Sequence, residues 1–149
     1  MTKMNIVFFF AFFLFASCGK QHTEPDWSFC DGCPNSAWAG EYEGAGAFYS
    51  RSNPDVTEEV PLAITINELP DFHLKIKVNS PNKFYASYNG VKDDSVYYFD
   101  MAGSEKSIHL NLHKTENDFK LTGNAKTYII VNDTVVLNRS VSFEILKNR

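Results

Sequence analysis

The chain has 149 residues, and its 14 basic and 18 acidic residues give a formal net charge of −4 at pH 7. This length suits one domain of ordinary size. Nucleic acid is excluded as an expected partner, because neutralising phosphates needs a basic surface and the sequence has no cluster of Lys and Arg.

An apolar block lies close to the N-terminus. Lys3 precedes it, and residues 6–15 read IVFFFAFFLF. About ten apolar residues are too few to span a membrane core, which needs roughly 20, but they match the hydrophobic region of a secretory signal. We therefore predict an export signal over residues 1–17.

The block ends in the order apolar, small, small, cysteine, which is Phe15, Ala16, Ser17 and Cys18. This order resembles the lipobox of bacterial lipoproteins, with Phe15 where leucine is more usual. The resemblance implies that Cys18 becomes the first mature residue and carries a thioether-linked diacylglycerol, usually with an added N-acyl chain. Two or three chains anchor a protein firmly. The implied location is the bacterial cell envelope, lipid-anchored to the outer membrane on its periplasmic or surface face. A plain signal peptide with a different cut is the alternative.

Residues 18–36 are rich in polar residues, Gly and Pro, and show no sustained periodicity. We interpret them as a lipidated flexible tether. Cys30 and Cys33 lie within it, and the oxidising compartment that an export signal implies favours a local disulfide. A redox pair lacks βαβ surroundings, and a zinc site lacks about four ligands. Both stay open as alternatives.

From residue 37 onward the apolar residues recur with a period of two. The alternation is clearest in residues 59–67, 71–79 and 106–114, and it predicts antiparallel strands with one wet face. Five further strands are predicted at 37–50, 83–89, 94–101, 117–131 and 134–147. For residues 94–101 the side chains that face the core are either those of Val96 and Tyr98 or those of Tyr97 and Phe99.

About eight strands without a helix would leave two edges and an apolar face uncovered in an open sheet. Closure removes the edges. We therefore predict an all-β fold, an up-and-down antiparallel eight-stranded barrel over residues 37–149, with a β-sandwich as the alternative. The rings expected inside are Trp38, Tyr42, Phe48, Phe72, Phe84, Phe119 and Phe143.

The stretch Trp38-Ala39-Gly40-Glu41-Tyr42 places aromatic-x-Gly-x-aromatic at the first strand. It resembles the opening of the calycin superfamily, which includes lipocalins and fatty-acid-binding proteins. Residues 117–146 are similar to the closing hairpin of lipocalin-like bacterial lipoproteins. The resemblance implies a barrel that binds a small hydrophobic or amphipathic ligand. The candidate residues for the barrel base or the ligand are Trp38, Tyr42 and Arg139.

Arg139 is a charge on an otherwise apolar parity of its strand. In lipocalins and fatty-acid-binding proteins, an arginine on a late strand stacks over the first-strand aromatic or holds a ligand carboxylate. Three interpretations stay open here: stacking on Trp38, a bulge near Asn138 that turns Arg139 outward, or a ligand anchor.

Recognisable catalytic motifs are absent from the sequence, including a nucleophile elbow, a phosphate loop and HExxH. His109 and His113 are four residues apart on a predicted strand, so roughly 13 Å separates them and they cannot share one ion. We predict a non-enzymatic envelope lipoprotein without a metal or cofactor that binds a small hydrophobic ligand. The alternative is a structural or protein-interaction module, such as an inhibitor or assembly subunit, with a filled barrel.

Overall fold

A computed structural model describes residues 25–100 and 105–149. In this part of the chain it has nine strands and one short helix, α1 (Asn35–Trp38). The strands are β1 (Ser28–Phe29), β2 (Gly40–Ser50), β3 (Asn53–Glu68), β4 (His73–Ser80), β5 (Phe84–Val91), β6 (Val96–Asp100), β7 (Lys106–Lys114), β8 (Phe119–Val131) and β9 (Thr134–Lys147). The predicted signal, Cys18 and residues 18–24 of the predicted tether lie outside the described residues.

Alternation in the sequence becomes alternation in burial. In β4, Leu74, Ile76 and Val78 are fully buried, whereas Lys75 and Lys77 between them are exposed. Successive side chains of a strand point to opposite faces, so a period of two buries one face and leaves the other in water. The eight predicted strands correspond to β2 through β9, and the all-β prediction is confirmed.

All nine strands belong to a single antiparallel sheet. Its order is β1-β7-β8-β9-β2-β3-β4-β5, and β6 also pairs with β7. Strand β7 therefore has β8 along one edge and shares its other edge between β6 and β1. The pairing of β2 with β9 joins residues near the start of the domain to those near its end, such as Tyr42 opposite Lys147.

The predicted closed eight-stranded barrel is wrong, because the sheet does not close and has a ninth strand. Strands β5 and β6 approach each other through side chains. The ring of Tyr88 in β5 lies 5.7 Å from that of Phe99 in β6, and the Tyr88 hydroxyl donates to the carbonyl of Ser107 in the neighbouring β7 over 3.0 Å. A hydrogen-bonded ladder needs the two backbones about 4.8 Å apart, and large rings occupy this seam instead. The alternative of two packed sheets is also wrong, since the strands form one sheet.

The core lies on the inner face of the curved sheet. Of the rings expected inside, Trp38, Tyr42, Phe48, Phe84 and Phe143 are buried, and Phe119 packs partly buried against them. In β6 the inner set is Tyr97 with Phe99, while Tyr98 is 61% exposed.

Phe72 is 82% exposed, so its predicted inward orientation is wrong. Asp71 and Phe72 both have positive φ, 59° and 61°. They form the turn before β4 rather than its first residues. Backbone in this left-handed region does not continue the alternation of a strand, so the side chain of Phe72 leaves the inner face.

The predicted boundary between tether and domain at residue 36 is too late. Residues 25–36 are folded against the sheet, because Phe29 pairs with His113 of β7 and Cys30 is fully buried. The amide of Cys30 donates to the carbonyl of Leu112 over 2.9 Å. Of the predicted tether, only residues 18–24 precede the described structure.

Candidate functional site

We name the two ends of the sheet by their residues. The base is the end that holds Trp38, Tyr42, Phe119 and Lys147. The mouth is the opposite end, with Phe48, Lys83 and Arg139. Beyond the mouth, the last residues of β8, the turn that follows and the first residues of β9 form the projecting hairpin, residues 128–137.

The base is closed by rings and one cation. Trp38 and Tyr42 are fully buried, and the Tyr42 hydroxyl donates to the carbonyl of Trp38 over 2.9 Å. The ammonium of Lys147 donates to the carbonyl of Ala37 over 2.9 Å. It lies 5.9 Å from the centre of the Tyr42 ring and 5.2 Å from that of Phe119. Burial lowers the pKa of Lys147 and raises that of the Tyr42 hydroxyl.

Lys147 occupies the place that the resemblance suggested for Arg139. Sequence reasoning missed it, although a signal was present, since Lys147 continues the inward parity of Val141, Phe143 and Ile145 at the end of β9. The aliphatic stem of a lysine can lie along apolar surface while its ammonium reaches a polar partner.

Arg139 lies at the other end of the same strand. It pairs with Ser50, whereas Lys147 pairs with Tyr42, so eight residues or roughly 26 Å separate the two cations along β9. The stacking of Arg139 on Trp38 is therefore wrong. The Arg139 side chain is exposed and donates from Nη1 to the carbonyl of Lys83 over 2.9 Å. It thus bridges β9 to the turn between β4 and β5.

A bulge lies beside Arg139. Thr127 pairs with Arg139 and Tyr128 pairs with Leu137, which leaves Asn138 as an extra residue in β9. This is the location given by the bulge interpretation. An extra residue shifts the alternation by one, so the side chains of β9 that face inward in the main sheet and those in the projecting hairpin have opposite parity.

The mouth holds a small pocket of about 210 Å³. Its lining includes Phe48, Glu58, Lys83 and Arg139. The Lys83 ammonium pairs with Glu58 at 2.6 Å and lies 5.8 Å from the centre of the Phe48 ring. Pockets for drug-sized ligands are about 300–1,000 Å³, so this one suits a much smaller molecule.

The projecting hairpin carries exposed aliphatic side chains. Ile130 is 71% exposed, Val135 56% and Ile129 39%. Ile130 and Val135 are paired across the two strands. Among the described residues, β7 pairs with β8 only as far as Thr127, and β2 pairs with β9 only as far as Arg139. One further backbone bond follows on each side, from the amide of Tyr128 to the carbonyl of Glu105 and from the amide of Arg51 to the carbonyl of Asn138. Beyond these bonds, the outer edges of residues 129–131 and 134–137 have no pairing strand in the described part of the chain.

Cys30 and Cys33 are joined in a disulfide, with Cα atoms 5.5 Å apart. The bond closes a local turn directly after β1, and it leaves these two positions without a free thiol. The described residues contain no group of three or more His, Cys, Asp or Glu side chains able to hold a metal ion.

His113 lies on the outer face near the base. Its Nε2 is 2.9 Å from Oγ1 of Thr122, and its ring centre is 4.7 Å from that of Phe29. Burial, followed by the charge of Lys120, lowers the pKa of His113. His109 is placed separately, with its ring 6.0 Å from that of Tyr98.

Across residues 25–100 and 105–149, no helix has the length and apolar character needed to cross a membrane. No family model matches the chain, and neither the curated proteins nor the solved structures include a significant match. Its function is therefore inferred from its own residues.

Proposed function

We propose that the chain is a lipid-anchored protein of the bacterial cell envelope that works through its outer surface as a protein-interaction module. The anchor is the acylated Cys18, as the lipobox resemblance implies. The partner is another envelope protein, and the role is that of an assembly subunit or an inhibitor. No enzymatic step is assigned to it.

The observation that carries this proposal is the filled interior. Trp38, Tyr42, Tyr88 and Tyr97 are each at most 2% exposed and occupy the inner face together with branched aliphatic side chains. Close-packed interiors leave few voids larger than a water molecule. The pocket at the mouth, about 210 Å³, is below the usual size for a hydrophobic ligand such as a fatty acid.

The projecting hairpin is the contact element that we assign to the partner. Its unpaired backbone edges can accept an added strand, and its exposed Ile130 and Val135 supply apolar contacts beside that strand. Strand addition draws affinity from main-chain hydrogen bonds and specificity from alternate side chains.

Native mass spectrometry tests this proposal. The protein is purified gently from an envelope extract of its host and also tested against a panel of fluorescent fatty acids. We expect a bare protein that binds none of them. A co-purifying small molecule that is lost in Arg139→Ala would contradict the proposal and make the protein a carrier.

The anchor is tested separately by metabolic labelling with a palmitate analogue. We expect the wild-type chain to be labelled and Cys18→Ser to be unlabelled. Equal labelling of the two would remove the lipoprotein part of the proposal and leave the interaction module untouched.

A small-molecule binder is the second candidate, and the mouth favours it. The pocket combines the Phe48 ring with Lys83, Glu58 and Arg139, an arrangement suited to a small amphipathic molecule with a charged group. In this case the ligand would sit at the rim, because the interior below Phe48 is occupied by side chains.

We also propose that the sheet is a calycin-like meander that stays open between β5 and β6. Support comes from the sequential antiparallel hairpins and from the position of Trp38, buried at the base directly before the first long strand. The cation at the base is Lys147 in this chain.

A further inference from the structure

The outer face of the sheet near the base carries four residues in one cross-strand register. Phe29 pairs with His113, His113 with Lys120, and Lys120 with Leu146. Residues directly opposite each other on neighbouring strands project from the same face. We call these four residues the outer row. It crosses β1, β7, β8 and β9, a width of roughly 14 Å at about 4.8 Å per strand.

The outer row and its surroundings combine exposed apolar side chains with cations that are held in ion pairs. Phe29 is 54% exposed and Leu146 52%. Trp27 is half-buried beside them, with the Lys120 ammonium 4.6 Å from its ring centre. Tryptophan and lysine are residue types that anchor proteins at membrane interfaces.

Two cations next to this surface are paired within it, whereas Glu43 of β2, which is opposite Leu146, is exposed and has no ion-pair partner among the described residues. Lys120 contacts Glu144 at 2.6 Å, and Arg149 contacts Asp118 at 2.8 Å. Burial lowers the pKa of His113, which favours its neutral form. The paired cations lose less hydration than unpaired cations would when this surface approaches the interface of a bilayer.

The chain that precedes the described structure is short and ends at this same surface. Pro25 and Asp26 line one surface cleft together with Lys114 and the turn between β7 and β8. Seven peptide steps separate Cys18 from Pro25, so the two are at most roughly 25 Å apart. A link of this length gives an effective concentration on the order of millimolar, and even weak docking is then populated.

We propose that the outer row, together with Trp27, docks on the lipid surface to which the chain is anchored. In this arrangement Trp27, Phe29 and Leu146 contact the interfacial layer of the bilayer. This inference rests on the proposed acylation of Cys18. The projecting hairpin lies at the far end of β8 and β9 and stays clear of the lipid, where a partner protein can reach it.

Quenching of tryptophan by brominated lipid tests the docking. The full chain is expressed with its own signal in a bacterium that acylates lipoproteins, extracted in detergent and reconstituted into phosphatidylethanolamine/phosphatidylglycerol vesicles with or without brominated phosphatidylcholine. The chain has two tryptophans, and Trp38 is fully buried, so it supplies a constant background. We expect bromine to remove most of the Trp27 emission, and Trp27→Phe to abolish the quenchable part.

Two matched double variants make the test specific. Phe29→Ser with Leu146→Ser should lose most of the quenching. Tyr85→Ser with Val91→Ser removes side chains of similar exposure, 67% and 54%, from the edge strand β5 and should leave the quenching unchanged. All four positions are exposed, so folding is preserved.

The outcomes separate this inference from the proposed anchor. Protein that floats with the vesicles but is not quenched would overturn the docking and leave the anchor in place. An equal loss of quenching in both double variants would also overturn it. Protein that is absent from the vesicle fraction would overturn the anchor and the docking together.

Discussion

The base and the mouth are opposite ends of the same two strands, β2 and β9, but they differ in how they treat a cation. At the base, Lys147 is partly buried between two rings and pairs with a backbone carbonyl. At the mouth, Arg139 is exposed and reaches across to the turn after β4. The base is thus packed and the mouth is solvated. We therefore expect substitutions at the base to lower the free energy of unfolding more than substitutions at the mouth do.

The largest expected effect is at the base. Trp38→Ala removes a fully buried ring and keeps the backbone carbonyl that accepts the Tyr42 hydroxyl proton. We expect the free energy of unfolding to fall by about 3–5 kcal/mol, because such a truncation leaves a cavity. Urea unfolding followed by far-UV circular dichroism measures it. Ile130→Ala in the projecting hairpin is the control and should change stability by less than about 0.5 kcal/mol. Similar losses in both variants would contradict the comparison.

The disulfide should come next. Replacing Cys30 and Cys33 by serine releases a link that closes a loop of four residues directly after β1. Loop entropy predicts a loss of about 2 kcal/mol for so short a loop. Unfolding of the wild type with and without a reducing agent provides the matched measurement. Unchanged stability on reduction would mean that β1 is held by its pairing alone.

The two cations allow a direct comparison. Lys147→Ala removes a hydrogen bond to Ala37 and contacts with two rings, and we expect a loss of about 1–2 kcal/mol. Arg139→Ala removes an exposed side chain and should cost less than about 0.5 kcal/mol. Thermal unfolding of the two variants side by side measures the difference. A larger effect at Arg139 would reverse the assignment of base and mouth.

The smallest expected effect is a pH dependence from His113. Burial holds its pKa below the ordinary value of 6.5, so the unfolded chain takes up a proton at higher pH than the folded protein does. The free energy of unfolding should therefore decrease as the pH falls below about 6.5. His113→Gln should flatten this slope between pH 7.5 and pH 5 in urea unfolding, with equal measurements at pH 8 as reference. Identical slopes in both proteins would show that His113 is not the responsible group.

Strand positions were readable from the sequence because each strand buries one face. β7 and β9 have the predicted bounds, and β4 differs at its start for a local reason, the two positive φ angles at Asp71 and Phe72. Alternation records which face is buried, but it does not record where a turn ends. Strand β1 could not be predicted from the sequence, since two residues cannot show a period. Its position depends on the packing of Cys30 into the core, which the alternation of residues does not record.

Closure and site geometry were less readable, because they depend on register. A bulge near Asn138 is one of three interpretations that the sequence allows, and the sequence alone does not distinguish it from an arginine that points into the sheet. The register that places Lys147 opposite Tyr42 decides which cation reaches the base. The prediction of a closed sheet was wrong because side chains, among them the rings of Tyr88 and Phe99, lie between β5 and β6 where a closed barrel needs a hydrogen-bonded ladder.

The pairing of β2 with β9 has a consequence for the order of folding. Tyr42 and Lys147 are opposite each other although almost the whole domain separates them along the chain. Hairpins such as β4 with β5 close over short loops, whereas β2 with β9 must wait for the last strand. Until the C-terminal residues are present, β2 and β8 both keep an open edge. The native sheet therefore forms only after β9 has been synthesised, and loss of β9 should leave the central sheet unassembled.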